Sequence, residues 1–136
     1  MTTTQVTAAG ERNAKLIRSN FERFLAGDVA AVLATWAEHA VWRILDCNRY
    51  EGEYTKHEYF ALLTGAWAED VTGYELRMLS VQPFGDHLVV VHVESSGTTI
   101  DGPIDPDGGL MIYRLDDGLI VEGWAVSKGQ DATTAF

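Results

Sequence analysis

The chain has 136 residues, 46% hydrophobic and 22% charged, with 20 acidic against 10 basic side chains and a formal net charge of -10. That balance suits one soluble domain, spanning 1–136, with a buried core, and excludes a disordered chain. Lys and Arg are scattered singly, which argues against nucleic acid or an anionic membrane as partner; the acidity reads as solubility and mutual repulsion.

Cys47 is the sole cysteine, so no intramolecular disulfide and no thiolate zinc site is expected. Residues 1–7 read as a loose, Thr-rich arm without the charged start and apolar run of a signal peptide, and Leu88–Val91 is far too short to span a bilayer. A cytoplasmic protein is expected.

From Ala8 the apolar positions Leu16, Ile17, Phe21, Phe24 and Leu25 follow a 3.6-residue period and predict an amphipathic helix that Gly27 ends. Asp28 is the N-cap of a second helix, with Val29, Val32, Leu33 and Trp36 as its core face. Val41–Leu45 has the β-branched and aromatic composition of a short strand, followed by a loop containing Gly52. Thr55 and Glu58 form a capping box for a third helix with the stripe Phe60, Leu63 and Trp67.

From Tyr74 the pattern is one of strands: Tyr74–Val81, a turn at Gly85-Asp86, Leu88–Ser96, Leu110–Leu115, a tight turn at Asp116-Asp117-Gly118, and Leu119–Ser127. Helix, helix, strand, helix and then an antiparallel meander is an α+β order, not alternating βαβ units.

Three strings in this order, AGDVAAVLATWAEHAVW, EGEYTKHEYF and YRLDDGLIVEGWAVSKGQDATTAF, resemble the SnoaL-like family of the nuclear-transport-factor-2-like (NTF2-like) superfamily, over roughly residues 12–136. The resemblance implies a conical, curved antiparallel sheet with three helices in the N-terminal half, enclosing a deep pocket, and often a homodimer. The fold serves polyketide cyclases, ketosteroid isomerase, limonene epoxide hydrolase and many binding proteins, so it does not by itself fix the function.

Carrying the relatives' catalytic residues across gives poor matches. The ketosteroid isomerase general base falls on Ile44, its helix-one tyrosine on Asn20, and its neutral aspartic acid near Leu110 or Met111. The Arg-x-Asp pair of limonene epoxide hydrolase falls on His92 and Glu94, and its aspartate two residues beyond a tryptophan falls on Val126 after Trp124. By the same resemblance Asp46 and Tyr54 flank the pocket mouth, and Trp42 and Trp124 line it.

The alternation of a strand puts Leu88, Val90, His92 and Glu94 on one face and Val89, Val91 and Val93 on the other. A pocket-facing His92 with Glu94 beside it is the candidate proton-handling pair. The opposite reading puts the valines in the core and the pair toward water or a dimer partner. Asn20 interrupts the apolar stripe of the first helix, where a polar group needs a partner.

His39, His57 and His87 occupy a helix end, an exposed first turn and a hairpin turn, and carry no functional signal. Asp101, Asp105 and Asp107 lack EF-hand spacing, and no phosphate loop, nucleophile elbow or two-His helix is present, so neither metal nor cofactor is expected. The expected function is a cofactor-independent enzyme that cyclises, isomerises or hydrates a small hydrophobic polyketide- or terpene-like molecule. The alternative is a binding or accessory protein of the same fold.

Overall fold

The computed structural model describes residues 6–45, 50–99, 102–103 and 109–127. Asp46, Cys47 and the acidic positions 101, 105 and 107 lie outside them. Helix α1 (Ala8–Leu25) begins where Thr7 caps the backbone N–H of Gly10. Its inward face repeats at three and four residues through Gly10, Asn13, Ala14, Ile17 and Asn20. The helix lies close against the β3–β4 turn described below. Asn13 donates to the Asp86 carbonyl at 2.8 Å, and a Cβ on Gly10 would stand 2.7 Å from the Gly85 carbonyl oxygen.

Helix α2 (Val29–Leu33) is a single turn and a half, capped by Asp28. It stops before Trp36, which opens strand β1 (Trp36–Leu45) and is not part of the helical face expected for it. The backbone explains the difference: Thr35 presents its carbonyl to the N–H of Ile120 at 2.9 Å, so the chain is captured by the sheet at that point. His39 accordingly lies within β1 and not at a helix end.

Strand β2 (Gly52–Thr55) replaces part of the expected loop and leads into α3 (Lys56–Thr64), where both arms of the Thr55–Glu58 capping box form. The third helical stripe is divided. Gly65 leaves helical geometry at φ -116 and ψ -101, and Trp67 belongs to a separate short helix, α4 (Ala66–Asp70).

The strands β3 (Thr72–Phe84), β4 (Leu88–Thr99), β5 (Gly102–Pro103), β6 (Gly109–Asp116) and β7 (Leu119–Ser127) complete the sheet. Its order is β2-β1-β7-β6-β4-β3, with β5 added on β4. All pairings are antiparallel except β1 with β7, which is parallel and makes the sheet mixed where a wholly antiparallel one was expected. Asp117 (φ 51) and Gly118 (φ 77) form the two-residue turn between β6 and β7, both in the left-handed region that such a hairpin requires.

The sheet is strongly curled, and the helices pack against its concave side. The core on that side includes Ile17, Trp36, Trp42, Val89, Val91, Leu115 and Ile120. No helix among the described residues is long and apolar enough to cross a membrane.

Candidate functional site

A cavity opens between the helices and the concave face. Ile17, Asn20, Phe21 and Phe24 from α1 and Tyr59, Phe60 and Leu63 from α3 form one side; Trp36, Leu76, Met111 and Tyr113 form the sheet side. It leaves about 80 Å³ for the centres of water molecules, several times what a single water needs. The lining is overwhelmingly apolar and aromatic.

Its aromatic floor is a layered stack. Trp36 meets Phe60 edge-on at 5.4 Å, and Trp42, wholly buried beneath, stacks on Tyr59 at 4.9 Å and leans on Tyr113 at 5.2 Å. The stack exists because β1 and β7 pair in register with Trp42 beside Gly123. A Cβ on Gly123 would stand 2.2 Å from the Trp42 ring, so glycine is what makes room for it.

At the mouth Trp67 stands edge-on to Tyr50 at 5.3 Å and to Tyr74 at 5.6 Å. Tyr50 donates to the Asp70 carboxylate, and the Tyr54 hydroxyl donates to the Tyr50 carbonyl at 2.6 Å.

The polar groups of this wall are neutral. Burial pushes the Tyr59 and Tyr113 phenols well above 10, Tyr59 further through the neighbouring Tyr113 and Tyr74. Burial also pushes Tyr74 up to about 12. All three therefore stay protonated at neutral pH. Asn20 is 6% exposed; its Nδ2 donates to Thr35 Oγ1 at 2.7 Å, while Oδ1 has no partner among the described residues. No Asp, Glu, His, Lys or Arg lines the cavity among the described residues.

The expected site residues divide accordingly. Asn20 stands in the cavity wall. Trp42 and Ile44 face the concave side, Trp42 one layer below the lining and Ile44 packed against the core. Tyr54 packs against the core, and its hydroxyl donates to the Tyr50 carbonyl at the mouth. Asp46 lies outside the described residues.

His92 and Glu94 are a correction. Val89, Val91 and Val93 are the buried face of β4, and the pair lies on the convex side, where Glu94 pairs with Arg77. Burying three β-branched side chains outweighs burying a histidine and a carboxylate that need partners. Trp124 and Val126 are corrected as well, because the register that seats Trp42 beside Gly123 turns them to the convex side. Trp124 pairs with Arg43 on the convex face, its ring 5.5 Å from that guanidinium carbon, and Val126 is in register with exposed Leu45 and Leu110. The lining residues missed from sequence are chiefly Tyr59, Met111 and Tyr113. The signal for the two tyrosines was aromatic density, which does not separate lining from core, and Met111 carried none.

No protein-family model matches the chain, and no curated protein matches it in sequence. Solved structures do. Bal32a from a soil-derived mobile gene cassette superposes with a TM-score of 0.75 at 19% identity, over 86% of this chain and 89% of that one. An NTF2-like protein from Burkholderia thailandensis E264 and TerC, co-crystallised with polyporic acid, each give a TM-score of 0.71 at 16% identity, over 90% of this chain and 95% of theirs. The chain therefore has the NTF2-like fold, the architecture that its SnoaL-like sequence strings imply.

Proposed function

We propose that the chain binds a small, uncharged, hydrophobic molecule in the concave cavity and acts as a small-molecule-binding or accessory protein. The observation that carries this reading is the wall itself: aromatic and aliphatic side chains with a few neutral polar groups, and no Asp, Glu, His, Lys or Arg among the described residues. Such a lining favours flat apolar ligands held by a small number of hydrogen bonds. A charged ligand would be buried without a counter-ion, which is strongly unfavourable.

The test is a titration of tryptophan emission with 1-naphthol, since Trp36 and Trp67 both touch the cavity. Saturable quenching in the parent is the expected result, with its loss in Leu63→Trp, which fills the space while keeping the fold. Unchanged binding in the filled variant would refute the reading.

A second reading is catalysis without a cofactor, namely cyclisation, isomerisation or hydration of a polyketide- or terpene-like molecule. It is favoured by the buried phenols of Tyr59 and Tyr113, which hold their protons and suit hydrogen-bond donation to an oxygen that gains charge. Turnover that falls in Tyr59→Phe while binding persists would distinguish it.

The convex face supports a homodimer. Leu45 and Leu110 are 48% and 41% exposed there, beside Ile112 and Trp124, and no helix among the described residues covers them. Light scattering at micromolar concentration should give a dimer mass that Leu110→Arg reduces to the monomer; a monomeric parent overturns it.

A further inference from the structure

The polar atoms of the cavity wall divide into those that are engaged or closed off and those that are open. Asn20 is in the first group: its Nδ2 is spent on Thr35, and its Oδ1 is closed off from anything the cavity holds. Tyr113 is there too, because its hydroxyl donates to Met111 Sδ at 3.6 Å. Tyr59 and Trp36 are in the second. Neither side chain has a hydrogen-bond partner among the described residues. Yet the polar atoms closed off without a partner are Asn20 Oδ1 and Trp42 Nε1, and not the Tyr59 hydroxyl or the Trp36 indole nitrogen. Those two atoms keep accessible surface. Both residues belong to the cavity wall and are only 8% and 4% exposed, so the space they open onto is the cavity.

Two open donors side by side, with ring centroids 6.0 Å apart, set the polarity of this part of the wall. An indole N–H can only donate, and a protonated phenol has one hydrogen to give. Burial holds the Tyr59 phenol well above its ordinary value of 10, and the nearby Tyr113 and Tyr74 add to the effect, so that hydrogen stays in place at neutral pH. Around the pair, Ile17, Val32, Phe60 and Leu63 bring no polar side-chain atom. An unbonded hydroxyl also adds nothing to the fold that phenylalanine would not supply. We infer that the cavity selects apolar ring compounds bearing a carbonyl oxygen, such as aryl and cyclic ketones, with Tyr59 and Trp36 as the donors that meet that oxygen. A carbonyl has a lone pair for each donor and brings no hydrogen that would need an acceptor of its own.

This inference rests on the small-molecule-binding reading and narrows its ligand class, and two naphthalene probes separate the two. They are 1-acetonaphthone and 1-isopropenylnaphthalene, in which a CH₂ group replaces the carbonyl oxygen. In titrations of the full chain followed by tryptophan emission, the ketone should bind about fivefold more tightly than the alkene, the worth of one net hydrogen bond. Tyr59→Phe should keep the parent's stability and its affinity for the alkene, while the ketone falls toward the alkene. The infrared carbonyl stretch of the bound ketone gives a second readout: it should lie below its position in hexane in the parent and move back up in Tyr59→Phe. The parent's spectrum decides even if the variant does not fold, because a stretch at the hexane position overturns the inference. If neither probe binds the parent, the binding reading itself fails and takes this inference with it. If ketone and alkene bind equally, or the preference survives Tyr59→Phe, binding stands and the role given to Tyr59 is overturned.

Discussion

Replacing Gly123 by alanine tests the aromatic floor directly. The added Cβ would lie 2.2 Å from Cζ3 and 2.4 Å from Cε3 of Trp42, and 3.0 Å from the Ile112 carbonyl oxygen. To regain an ordinary contact of 3.4 Å the ring has to retreat by about 1.2 Å. It has nowhere to go, because Tyr59 is stacked on it at 4.9 Å, Tyr113 leans on it at 5.2 Å, and Trp36 lies at 5.6 Å. Overpacking of this kind costs about 2–3 kcal/mol. For a domain of this size that is a fall in Tm of roughly 10 °C. Trp42→Phe removes the two ring atoms that clash and alone costs about 1–2 kcal/mol in lost burial. The double variant should therefore be more stable than the sum of the two single losses by at least about 1 kcal/mol. Urea unfolding followed by far-UV circular dichroism supplies all four corners of the cycle. Additivity within about 0.5 kcal/mol, or a Gly123→Ala variant as stable as the parent, would refute the account of why this position is glycine.

Thr55→Ala should cost about 1 kcal/mol in denaturant unfolding, because it removes the oxygen that accepts from the Glu58 N–H at 3.2 Å and leaves only the arm from the backbone N–H of residue 55 to Glu58 Oε1 at 2.8 Å. Stability should fall as pH rises above 10, the unfolded phenol value: Tyr59, Tyr74 and Tyr113 hold protons more tightly folded than unfolded, so the unfolded chain ionises first. Tyrosinate absorbance should then grow together with loss of the circular dichroism signal, whereas ionisation well before unfolding counts against buried phenols. Hydrogen bonds from Arg43, and then from Arg114, hold the Glu122 carboxyl below 4.5, so its contribution is present above that value and is lost as pH falls through the folded one. Glu122→Gln should accordingly flatten the acid limb of the stability profile slightly and leave neutral stability within about 1 kcal/mol.

Elements with local signatures were legible in the sequence. The period of α1, the Thr55–Glu58 box and the Asp117-Gly118 turn all form as their residues dictate. Features that depend on remote partners were not. Trp36 fits a helical face by spacing, yet Thr35 and its successors are drawn into the sheet by β7, more than 80 residues away. Likewise the alternation of β4 separates two faces but does not say which one the curl encloses, and the valines settle it against His92 and Glu94. The resemblance put Trp124 in the pocket lining, whereas the register that seats Trp42 over Gly123 turns the next residue, Trp124, outward. Asn20 was legible because a polar side chain inside an apolar stripe is conspicuous without knowledge of the fold.

The parallel pairing of β1 with β7 also fixes when the cavity can exist. Trp42 reaches its partner Gly123 only after the 81 positions from 42 to 123 have been synthesised, and strand pairing over such a separation carries a loop-closure cost that slows folding. Until β7 arrives, β1 presents an unpaired edge, with only the four-residue β2 to cover its other side. An emerging chain can make α1 and the local hairpins early, but its aromatic floor waits for β7. Molecules with that floor unformed expose Trp36, Trp42 and Tyr59 together, so chaperone dependence and aggregation during refolding should respond most to changes in β7.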